Sequence, residues 1–85
     1  MIINVGAIGT ISTDVFKINY VQAVASAAGM IVILTDTTGT PFFEARNGTG
    51  VNDVGLSLNG QEISGIKCVT FTNCSRVIIG LERIN

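Results

Sequence analysis

Residues 30–46 read MIVILTDTTGTPFFEAR, and this stretch decides the fold. Positions 30–35 are apolar on both alternating sides, as expected of a central strand covered on both faces. Asp36-Thr37-Thr38-Gly39 follows. An Asp side chain accepts hydrogen bonds from the backbone just ahead of it, and Gly takes a positive φ without steric cost, so Asp36 and Gly39 predict a tight turn. Positions 42–46 then return as the hairpin partner, with Pro41 at the first residue, where a missing N–H matters least.

The same turn chemistry recurs on either side of this hairpin. Residues 2–11 hold Ile2, Ile3, Val5, Ile8 and Ile11, broken by Gly6 and Gly9, and read as an edge strand or arm. Residues 15–25 alternate, with Phe16, Ile18, Tyr20 and Val24 on one side and Val15, Lys17, Asn19 and Val21 on the other. A helix over 21–28 competes, because VQAVASAA is alanine-rich; no N-cap residue precedes it, and strand is the preferred reading. Asn47-Gly48-Thr49-Gly50 marks a further turn. Leu56 and Leu58 mark a short strand, Asn59-Gly60 a turn, and Ile63 a brief return. Residues 66–72 and 77–84 close the chain as a last strand pair, joined at Asn73-Cys74-Ser75. The sum is about seven or eight short strands at roughly ten-residue spacing, which predicts an all-β fold. It is expected to be a single small antiparallel domain over residues 1–85, built as a β-sandwich or jelly roll.

Composition narrows the chemistry. The 85 residues include no His and no Trp, two Cys, and only 13% charged side chains against 47% apolar ones. A soluble domain averages about a quarter charged residues, so this surface is thinly charged. No His and dispersed carboxylates leave no metal first shell, and no nucleophile has a visible base. Asp14, Asp36, Glu44, Asp53, Glu62 and Glu82 read as turn or solvent-face residues rather than a glycosidase pair. No catalytic residue, no metal site and no cofactor are expected, and the protein is read as not an enzyme. Gly48-Thr49-Gly50 lacks the Lys and the following helix of a phosphate loop. A formal net charge of −1 and five scattered cations speak against a nucleic-acid partner. Residues 1–13 carry no Lys or Arg, so no secretory signal is expected, and the apolar run at 29–34 is too short for a membrane partner. Cys68 and Cys74 are expected as free thiols, because a turn at 73–75 would set Cys68 opposite a residue near Ile78. Without a secretory signal, the glycosylation patterns at Asn47 and Asn73 read as chance.

What remains is association. A chain of this size buries only about 60% of its unfolded surface, and oligomerisation is a common supplement at that scale. Apolar residues also fall on otherwise polar faces. Phe42 alternates with Glu44 and Arg46, Ile78 with Arg76 and Glu82, and Val15 and Val21 flank Lys17 and Asn19. Val15, Val21, Phe42 and Ile78 are therefore the expected interface residues of a homo-oligomer.

Asp36-Thr37-Thr38-Gly39, Pro41-Phe42-Phe43, Ser64-Gly65-Ile66-Lys67-Cys68 and Val77-Ile78-Ile79 occur in an order that resembles the small all-β virion structural proteins of tailed bacteriophages, in particular the capsid decoration (cement) type. The resemblance implies a virion location and many copies bound outside the head, often as trimers. It also implies the major capsid protein as partner and a clamping, non-enzymatic role. A tail, neck or fibre-base position is the alternative within the same class. A small carbohydrate-binding β-sandwich is the alternative outside it; alternation sets Tyr20 with Phe16 and Ile18 on the core face, which leaves no aromatic sugar platform.

Overall fold

The hairpin of residues 31–46 is present in the computed structural model, which describes residues 1–84 and contains strands and no helix among them. The strands are β1 (Ile2–Val5), β2 (Gly9–Ala25), β3 (Ile31–Thr35), β4 (Pro41–Arg46), β5 (Val54–Thr72) and β6 (Cys74–Arg83). They form one six-stranded sheet in the order β1-β6-β2-β5-β3-β4, and every pairing is antiparallel. β1 takes one edge of the sheet and β4 the other. The segment 21–25 is strand, which decides against the helix.

Six strands replace the expected seven or eight because β2 and β5 are long, at 17 and 19 residues. Fully extended at about 3.3 Å per residue they would reach roughly 56 and 63 Å. The molecule measures 41 Å along its longest axis, so both strands must bend. The bends sit where the ladder slips. Register shifts fall between Thr10 and Ser12, between Ser12 and Val15, and between Ile18 and Tyr20. On the partner strand, Asn59 (φ 53°), Gly60 (φ 79°) and Gly65 (φ 85°) take left-handed conformations. Asn59-Gly60 is therefore not the expected turn. Both sides of it pair with β2, Gln61 with Ile18 and Ser57 with Tyr20, so the dipeptide kinks one continuous strand.

Bending divides the sheet into two halves. One holds β1, β6, residues 16–25 of β2 and residues 54–63 of β5; the other holds residues 9–12 of β2, residues 66–72 of β5, β3 and β4. Val5, Ile18, Val21, Ile79 and Leu81 from the first half and Val32, Leu34, Ala45 and Ile66 from the second belong to one buried cluster, with Met30 from the β2–β3 connection. No other layer exists among the described residues, so the sheet covers its own apolar face. The accessible surface of 4439 Å² lies close to the roughly 4,800 Å² that size alone predicts for a folded chain.

Residues 66–72 and 77–84 are not a strand pair. β5 and β6 lie on opposite sides of β2, and Cys68 pairs with Gly9 and Leu34. Asn73 (φ 52°) carries the chain from one half of the sheet to the other instead of reversing it. The β2–β3 connection crosses beside it. Ser26 N donates to Asn73 O at 3.0 Å, and Asn73 Nδ2 donates to Ala28 O at 3.0 Å. Asn47 clips the same end, accepting from Met30 N at 2.8 Å through Oδ1 and donating to Ala27 O at 3.5 Å. Both asparagines of the glycosylation patterns thus use their amides to hold backbone.

Candidate functional site

Strict alternation fails in β2 at Asn19. Phe16 and Ile18 point inward; the slip between Ile18 and Tyr20 occurs against both neighbouring strands, and the next inward residues are Val21 and Ala23. Val21 is 1% exposed and belongs to the core, so it does not lie on the outer face as expected. Tyr20 moves the opposite way and is 40% exposed on the outer face. Val15, Phe42 and Ile78 are half-buried. They do not form one patch: Val15 pairs with Ser64 at the bend, Phe42 lies on the β4 edge against the core, and Ile78 lies between Asn4 and Gln22. Asp36 and Gly39 shape the hairpin loop. Asp36 Oδ1 accepts from Thr38 N, Thr40 N and Thr38 Oγ1 at 3.0, 2.9 and 2.7 Å, and Gly39 has φ 92°.

The register brings together residues that sequence spacing kept apart. Across the outer face of the first half, one row reads Ile2–Gly80–Tyr20–Ser57 and the next Asn4–Ile78–Gln22–Gly55. Gly80 is buried because the Tyr20 ring lies over it; a Cβ there would meet Tyr20 Cε1 at 2.1 Å. Ile2, 61% exposed, sits beside this ring. A charged row, Glu82–Lys17–Glu62, borders the patch. On the inner side, Leu56 stands opposite buried Val21 yet is 46% exposed, because no strand covers the far side of residues 54–58 among the described residues. The signal for Tyr20 and Val21 was available: inward apolar residues at 16, 18, 21 and 23 step by two, three and two, which is the spacing of a bulge.

Little chemistry is organised here. Among the described residues no pocket opens and no group of three or more His, Cys, Asp or Glu gathers as a metal site. The ion pairs Glu44–Arg46 (2.6 Å) and Asp14–Arg83 (3.4 Å) are exposed and contribute at most about 1 kcal/mol each. Cys68 and Cys74 are free, and burial pushes both thiols above their ordinary range, which makes them poor nucleophiles. What the described residues present at the surface is apolar rows and open strand edges. No protein-family model, curated protein or solved structure matches the chain.

Proposed function

We propose that the protein is a non-enzymatic virion structural protein of the capsid decoration (cement) type, acting as a homo-oligomer, with a trimer as the expected form, on the major capsid protein. The observation that carries this reading is the exposed apolar outer row of Ile2 and Tyr20, together with Leu56 exposed on the inner side at the opposite edge, on a half-sheet whose two edges bear no charge. Apolar residues placed in rows on a thinly charged surface suit burial against protein. In this reading the folded-over sheet serves as a two-layer β-sandwich, and the order of turn and strand motifs along the chain supports the phage assignment. Binding only the assembled shell stabilises that shell by mass action. Heads lacking the protein are therefore expected to release DNA at a lower temperature than complete heads. Identical release curves, with its absence verified, would exclude the cement role and leave the tail, neck or fibre-base position.

The Tyr20 ring supports a second reading. An exposed ring laid on a glycine, with Gln22, Asn4 and Ser57 in the same two rows, has the form of a sugar-stacking platform. Tyr20 is the sole Tyr in a chain without Trp, so its fluorescence reports directly. Saturable quenching by an oligosaccharide, with the heat of binding in titration calorimetry lost in Tyr20→Ala and retained in Tyr20→Phe, which keeps the stacking ring, is the expected sign of a carbohydrate-binding module; a flat response across glucan, chitin and mannan oligomers would remove that reading.

A further inference from the structure

The free edges of this sheet are not equally protected. β4 carries Pro41, Glu44 and Arg46, all of which discourage pairing with another chain. The open side of residues 9–12 is distorted by the register shifts around Ser12. β1, reading IINV, and residues 54–58, reading VGLSL, have neither charge nor proline. These two unguarded segments are the opposite edges of the same half-sheet, β1-β6-β2-β5.

They also lie in the same rows. Ile3 connects through Ile79 and Val21 to Leu56, and Val5 through Val77 and Ala23 to Val54. On the outer face Ile2 connects through Gly80 and Tyr20 to Ser57, and Asn4 through Ile78 and Gln22 to Gly55. Strand direction alternates across the half-sheet, so β1 and β5 run in opposite senses. A second copy set beside the first in the same orientation therefore brings β1 against residues 54–58 as an antiparallel pair. With no slip along the strands, Ile3 meets Leu56 and Val5 meets Val54 on the inward side, while Ile2 meets Ser57 and Asn4 meets Gly55 on the outward side.

We propose that copies of this chain join head to tail through these edges, β1 of one copy extending the sheet of the next at residues 54–58. The occupant of each edge is the other edge of an identical copy, because one contact then uses both unguarded segments and covers Leu56 from its unpaired side. A two-fold pairing of residues 54–58 with themselves would leave β1 bare. A head-to-tail contact closes as a ring or runs on as a filament, and sheet twist turns each copy relative to the last. The inference rests on the self-association within the function proposed above and names its interface.

The test uses the full chain in light scattering. Leu56→Lys places a charge on the open side of β5 at an already exposed position, and a chain carrying both Ile2→Lys and Asn4→Lys guards β1 at exposed positions; thermal melts verify that each still folds. Wild type is expected to be oligomeric and each variant alone monomeric. An equimolar mixture of the two is expected to stop at two chains, since one intact β1 and one intact 54–58 edge remain. Variants that keep the wild-type mass would overturn the edge pairing and leave self-association standing. A mixture that stays monomeric would overturn the head-to-tail arrangement. A wild-type monomer would overturn self-association itself, and the pairing with it.

Discussion

Asp36 organises the hairpin loop through one carboxylate oxygen. The Thr38 hydroxyl, then the Thr40 and Thr38 amides, donate to it and hold its pKa below the ordinary 3.8. The folded chain therefore binds the Asp36 proton less readily than the unfolded chain does. The resulting stabilisation is complete above the unfolded value and is lost as pH falls through the lower folded value. Thermal melts should show no contribution from Asp36 to pH dependence between pH 8 and pH 5, and a falling midpoint below about pH 4, where free Asp takes up its proton. Asp36→Asn should have a shallower fall over the same acid range. Equal acid slopes in the two proteins would show that these three hydrogen bonds do not favour the charged form.

At the scale of elements, the bends matter more than the turns. Thr37 of the hairpin loop docks on the β5 bend, with its N and Oγ1 each donating to Ser64 O at 2.9 Å. Gly65 next to it has φ 85°, and a Cβ there would lie 2.3 Å from Thr37 Cγ2 and 3.2 Å from Ser12 O. Gly65→Ala combines backbone strain with a clash against Thr37 Cγ2, on a side chain held in place by its own hydrogen bond to Ser64 O, and a tight contact with Ser12 O. It should destabilise by about 2 kcal/mol or more in denaturant unfolding; a midpoint equal to wild type would show that β5 does not bend at Gly65. The β3–β4 hairpin was legible because Asp36, Gly39 and Pro41 each have one favoured place in a turn or strand start. The long strands were not legible. Asn59-Gly60 has the composition of a hairpin turn, and the same positive φ angles also kink a strand that continues; only the partner strand decides between them. Asn73 was ambiguous for the same reason. The error at Asn19 passed directly to the candidate site, since one extra residue exchanged the faces of Tyr20 and Val21.

For the whole molecule, the decisive fact is that one bent sheet covers its own apolar face. One apolar face is closed in this way, while two uncharged edges and the Ile2–Tyr20 rows remain outside. The all-β class was legible from alternation and turn spacing, but the strand order was not, because it depends on β6 returning between β1 and β2. That insertion bears on how the chain is made. A ribosome delivers the first strand early and the sixth last. Until residues 74–83 emerge, β1 has no neighbour to pair with, and residues 16–25 of β2 lack one of their two ladders. β1 is therefore held in reserve for β6, and the native sheet forms only once residues 74–83 have emerged.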